Sequence, residues 1–102
     1  MNVNNPAKSE DARLHVWVSG RVQGVGFRAF VLQSAQIMGL TGWVRNVGDD
    51  QVEATAEGSR EALERFLKAV KTGPRMSLVE EARQEWEQAT GEFPGFNVRH
   101  SF

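Results

Sequence analysis

The residues whose types and spacing could do chemistry lie in Gly20-Arg21-Val22-Gln23-Gly24-Val25-Gly26-Phe27-Arg28. Glycine adopts backbone dihedrals that a Cβ forbids, so three glycines in this short span let the chain turn tightly and expose consecutive N–H groups. From Phe27 onward the spacing is helical, and a helix start adds unpaired N–H donors and a partial positive charge. Arg28 contributes a planar fork of donors suited to phosphate oxygens. With Gln23, Gly24, Val25, Gly26 and Phe27 offering N–H groups and Arg28 its side chain, the stretch reads as a cradle for a phosphoryl or carboxylate group.

The elements that must hold this cradle follow from periodicity. Residues 1–12 are polar and without periodicity, and are read as a disordered tail. In residues 13–19, Leu14, Val16 and Val18 alternate with His15, Trp17 and Ser19, which predicts a strand leading into the loop. His15 could act as an acid–base group, but a lone histidine in such a pattern is first read as a side chain on a sheet face. Phe27, Phe30, Val31, Ala35 and Met38 form the apolar stripe of a helix that ends at Gly39. Residues 41–47 and 51–57 read as strands joined by the turn residues Gly48, Asp49 and Asp50. Ser59 is placed to cap a second helix with Ala62, Leu63, Phe66, Leu67 and Val70 as its stripe, stopped at Gly73-Pro74.

Residues 77–88 give a divided signal. Ser77 with Glu80 resembles a capping box and the glutamate-rich composition favours helix, yet Leu78, Ala82 and Trp86 would also share one face of a strand. Local signal leans to helix. Residues 96–102 alternate Phe96, Val98, His100 and Phe102 as a closing strand. The order strand, helix, strand, strand, helix, undecided, strand is that of an α+β, ferredoxin-like (split βαβ) sandwich. It has an antiparallel sheet of four to five strands with two helices on one face. A helical crossover makes the first two strands parallel, so Asn46, near the end of the second, should lie at the same sheet edge as the glycine loop.

Composition limits what the cradle can serve. A chain of 102 residues fits one core, here residues 13–102. A formal net charge of −1 argues against a general nucleic-acid or anionic-membrane surface, so an anion site must be local. The absence of cysteine excludes disulfides, thiolate nucleophiles and Cys-based metal sites. His15 and His100 are the only histidines, and neither a metal site nor a cofactor is expected. No apolar run approaches the ~18 residues that cross a bilayer, and no signal-peptide core is visible, so a cytoplasmic protein is expected.

Three motif readings of the loop fail. A P-loop would need Gly-Lys-Ser/Thr and an acidic strand end for magnesium. A dinucleotide fingerprint matches loosely as Gly24-x-Gly26-x-x-Ala29. The chain is short for a doubly wound sheet, however, and no acidic residue ends the second strand to hold a ribose. Gly26-Phe27-Arg28-Ala29-Phe30-Val31 echoes an RNA-recognition strand, but follows the first strand rather than forming the third.

A fourth reading is specific. Val22-Gln23-Gly24-Val25-Gly26-Phe27-Arg28, preceded by Gly20, resembles the first signature of the acylphosphatase family. Gly42-Trp43-Val44-Arg45-Asn46, followed by Val52 and Gly58, resembles its second. The likeness runs through the hairpin, the second helix and Phe96-Asn97-Val98-Arg99, about 90 residues in all. It implies a ferredoxin-like fold, a strand at 77–88, and metal-free hydrolysis of the carboxyl–phosphate bond of acyl phosphates, with phosphate or sulfate as product-like ligands. It also implies that Arg28 binds phosphate and that Asn46 orients the attacking water.

The residue chemistry agrees with that implication. A carboxylate leaving group, with an ordinary pKa of about 4, needs little help from a general acid. What remains is to hold a charged phosphoryl group and align a water, which is positioning and charge stabilisation. Asn46 is neutral and can orient water without repelling phosphate. One departure from the family pattern is Asp50 where glycine is usual, with Gly48 available to take the turn instead. The sequence is therefore read as a monomeric cytoplasmic enzyme acting on a small acyl phosphate, without nucleic-acid or membrane partners. The alternative is a non-catalytic anion-binding regulatory module of the same fold, as in acylphosphatase-like domains of larger proteins. The end of the chain soon after the last strand favours the free-standing enzyme.

Overall fold

In the computed structural model, which describes residues 11–100, the chain runs β1(Asp11–Arg21), α1(Phe27–Ile37), β2(Thr41–Val47), β3(Gln51–Ser59), α2(Arg60–Thr72), β4(Leu78–Gln88) and β5(Phe96–Val98). Strand β1 begins at Asp11, two residues ahead of the alternation, and the rest of the expected tail lies outside the described residues. The sheet order is β4-β1-β3-β2-β5. Strands β1 and β2 each pair antiparallel with β3, so they are parallel to each other with β3 between them. Their C-terminal ends share an edge, as the crossover argument requires.

Period-2 alternation sets the faces. Leu14, Val16 and Val18 of β1 and Val52, Ala54 and Ala56 of β3 are buried with Phe27, Val31 and Ala35 of α1 and Leu63, Phe66 and Val70 of α2. The Ser59 side chain accepts the Ala62 N–H at 3.1 Å, a cap that contributes about 1 kcal/mol.

Residues 78–88 form a strand, against their local helical signal. Strand β1 would otherwise leave a full row of backbone groups unpaired beside β3, and β4 pairs with it from Ala12 to Arg21. A register shift at Ser19/Gly20 sets Glu81 opposite Ser19 but Val79 opposite Gly20. The shift changes the alternation, so Val79 joins the core while Leu78 remains 56% exposed. Gly20 serves this junction rather than the cradle: a Cβ on it would lie 2.3 Å from the Leu78 carbonyl oxygen.

The closing strand ends at Val98, short of His100 in the expected alternation, while Phe102 lies outside the described residues; the Arg99 N–H still donates to the Val44 carbonyl at 2.8 Å. It also runs parallel to β2, so the sheet is mixed rather than wholly antiparallel. The reason is topological. Strand β4 ends where β1 and β2 begin, so a chain crossing that end and lying down beside β2 must run with it. No helix among the described residues is long and apolar enough to cross a membrane.

Candidate active site

At the shared C-terminal edge, the β1–α1 loop, the end of β2 and the segment after β5 enclose a cleft of about 350 Å³. Arg28 and Asn46, 18 residues apart, both line it. Gln23, Gly24, Gly26 and Phe27 line it from the loop. Val25 is half-buried and packs against the core, so its contribution to the loop is restricted to its backbone.

Gly24 and Gly26 have φ of 74° and 77°, in the left-handed region that glycine enters without strain. A Cβ at either would meet no protein atom within 4 Å, so the requirement is conformational rather than steric. Gly26 is also the N-cap of α1, where it supplies no side-chain cap, and no acidic residue occupies the first turn. The first helical bond runs from the Phe30 N–H to the Gly26 carbonyl at 3.0 Å. Among the described residues, no backbone carbonyl accepts from the N–H groups of Gly24, Val25, Gly26 or Phe27. Nor does Arg28 form an ion pair among them. The donor-rich end of a helix and a half-buried guanidinium thus face one cleft, and no Asp or Glu among the described residues lines it.

Gly48 adopts φ of 60°, so it takes the left-handed position in the hairpin turn that carries Asn46, and Asp50 accepts the Gly20 N–H on its carbonyl at 3.1 Å. Asn46 is half-buried in β2, on the face directed to the helices, opposite Val52.

The sequence pattern did not reveal three features of the cleft. Ala29 and Leu32 of α1, one and four residues beyond Arg28, line it, and so do Val98 and His100. The Gln23 side chain, as distinct from its N–H, donates from Nε2 to the carbonyls of Gln51, Gly48 and Val47 at 2.8, 3.2 and 3.3 Å. Only the spacing of Leu32 from Arg28, i and i+4, was available to signal any of this in advance.

His15 lies on the opposite face of the sheet, as its alternation suggests. Its Nε2 meets the Glu53 carboxylate at 2.5 Å, and its ring stacks on Trp17 at 3.8 Å between centroids. Burial pushes the Glu53 carboxyl up, but His15 and Arg45 outweigh it and hold the group below the ordinary range. Glu85 and Glu87 lie near His15, but face Arg83 and Arg13 at 3.4 and 3.9 Å. This charge-paired group is remote from the cleft.

A glycine loop feeding a helix that has no side-chain N-cap, with arginine and asparagine lining one cleft on a split βαβ sandwich, defines an α+β protein with a donor-rich cleft. Residues 14–98 match the family model described as Acylphosphatase. The acylphosphatase of Trichormus variabilis is 43% identical over 96 residues, 94% of each chain. The crystal structure of the Bacillus subtilis acylphosphatase superposes with a TM-score of 0.82 at 39% identity, covering 86% of this chain and 98% of that one. An acylphosphatase from Coxiella burnetii gives 0.84 at 34% identity, covering 91% and 97%. The chain belongs to the acylphosphatase family, and it is a hydrolase of that family.

Proposed function

We propose that this cleft hydrolyses the carboxyl–phosphate bond of a small acyl phosphate, Arg28 and the N–H groups from Gln23 to Phe27 holding the phosphoryl oxygens. The observation that carries the reading is the convergence of Arg28 and Asn46 on one cleft with the glycine loop. A charge-assisted hydrogen bond contributes roughly 1.5–3 kcal/mol, and contacts formed only in the transition state accelerate the reaction rather than tightening substrate binding. Asn46 orients a water opposite the leaving oxygen. The water oxygen forms the new P–O bond, the P–O bond to the carboxyl group breaks, and the carboxylate leaves with the bonding pair. The water's proton passes to a phosphoryl oxygen, so the products are carboxylate and orthophosphate. The low basicity of the leaving carboxylate supports hydrolysis without a metal or a protonated side chain. Ala29, Leu32, Val98 and His100 are placed to receive the acyl part. We propose further that the protein acts as a cytoplasmic monomer, which the cysteine-free, near-neutral composition supports.

The test is benzoyl phosphate hydrolysis in excess chelator, with wild type beside Arg28→Ala and Asn46→Ala. Turnover without added metal is expected. The Asn46→Ala protein should lose on the order of 10²-fold in kcat while still being inhibited by phosphate. Wild-type-like turnover by Asn46→Ala would remove the water-orienting role. Phosphate binding with no turnover in the wild type would identify a regulatory module instead.

A further inference from the structure

The sheet order leaves a mechanical problem at the cleft. The cradle follows β1 and Asn46 sits on β2, but the two strands are not neighbours, because β3 separates them. Two inter-strand spacings amount to roughly 9–10 Å, and no ladder bond sets that distance directly. The hairpin turn of Gly48, Asp49 and Asp50, which must hold the end of β2 in place, is exposed.

One side chain spans the gap. From the loop, Gln23 Nε2 meets the carbonyls of Val47, the last residue of β2, of Gly48 in the turn, and of Gln51, the first residue of β3. An amide NH2 has two hydrogens, so three acceptors share two donors, with the short 2.8 Å contact to Gln51 as the firmest. Val47 is bonded directly to Asn46. We propose that Gln23 is a positioning residue, its side-chain amide fixing Asn46 relative to the phosphoryl cradle. This role is distinct from any contact its N–H makes with phosphate, and it rests on the proposed roles of Arg28 and Asn46. Three carbonyls form an acceptor-only environment, which an amide nitrogen satisfies and a carboxylate or thioether does not. Misplacing a reacting group by 1 Å can lower a rate on the order of 10²-fold, so loss of the clamp should appear in turnover.

The experiment is a double-mutant cycle on benzoyl phosphate hydrolysis, with the inhibition constant of inorganic phosphate and the urea midpoint measured on every protein. Gln23→Met keeps length and removes the donors. Gln23→Asn keeps the donors on a stem one methylene shorter, and carries the same cycle if the methionine variant does not fold. Each should lower kcat by roughly 10–100-fold with phosphate inhibition retained. Asn46→Ala should then cost much less in the Gln23→Met background than in the wild type, because its amide is already misplaced. Wild-type kcat in both Gln23 variants, or an equal Asn46→Ala penalty in both backgrounds, would overturn the proposal. So would a loss confined to phosphate affinity, which would make Gln23 part of the cradle only. If Asn46→Ala alone is wild-type-like, the water-orienting reading fails and takes the clamp with it. If Asn46→Ala loses turnover but the Gln23 variants do not, only the clamp fails.

Discussion

Two loops of this molecule set consecutive N–H groups beside an arginine, and they use them differently. In the connection between β4 and β5, the Glu57 carboxylate accepts from the N–H groups of Thr90 and Gly91, both at 2.9 Å, and from Arg13 Nε at 2.7 Å. Arg13 also reaches Glu92 at 2.8 Å. Burial pushes the Glu57 carboxyl up, but the Thr90 N–H, the Arg13 guanidinium and the Gly91 N–H outweigh it and hold the group below the ordinary glutamate range. The β1–α1 loop uses the same parts, consecutive N–H groups and an arginine, but no Asp or Glu among the described residues lines its cleft. One loop consumes its donors in holding the chain where it crosses the sheet end; the other, under the proposed function, presents them to a ligand. If the proposed function holds, a structural and a functional anion site differ in the source of the anion, not in the chemistry of the donors.

The strongest way to break this comparison is at the arginines. Arg28→Ala should lower kcat/KM for an acyl phosphate on the order of 10³-fold and weaken phosphate inhibition, with the thermal midpoint little changed. A large loss of stability would mean that Arg28, like Arg13, serves the fold.

Glu57→Ala should do the reverse. It strands a half-buried arginine and two N–H groups, and urea unfolding should show a loss of about 2–3 kcal/mol with kcat unchanged. The same pair sets an acid dependence. Glu57 and Glu53 are both held below their ordinary range, so their stabilising contributions are fully present above about pH 4.3, the unfolded value. They are lost as pH falls through the lower folded values. Thermal midpoints of wild type and Glu57→Gln should therefore be fully separated above about pH 5 and converge only as pH falls through the depressed folded value of Glu57. Parallel profiles would refute the ion-pair account.

The smallest effect sharpens the comparison at the backbone. Gly26→Ala places a Cβ at φ of 77° with no steric neighbour, so it should destabilise by about 1 kcal/mol through strain alone. Activity should fall if the loop relaxes away from its left-handed turn. Unchanged unfolding together with unchanged turnover would show that the turn does not require glycine there.

Much of the molecule was determined locally. The alternation of Leu14, Val16 and Val18, the stripe from Phe27 to Met38, the Ser59 cap and the glycine loop each encode their structure in a few adjacent residues, because dihedral preference and apolar periodicity act at short range. Arg28 and its cradle were legible for the same reason. Asn46 was legible through the crossover rule and the family resemblance, but not through its own neighbours. What only the tertiary structure decided depends on partners distant in sequence. Residues 78–88 became a strand because β1 needed hydrogen-bond partners, overriding a glutamate-rich helical preference. The register shift at Gly20 chose Val79 over Leu78 for the core, and the crossing of the sheet end made β5 parallel to β2. The three-carbonyl contact of Gln23 and the His100 wall of the cleft arise where separate elements meet, and no local pattern carries a distance between elements.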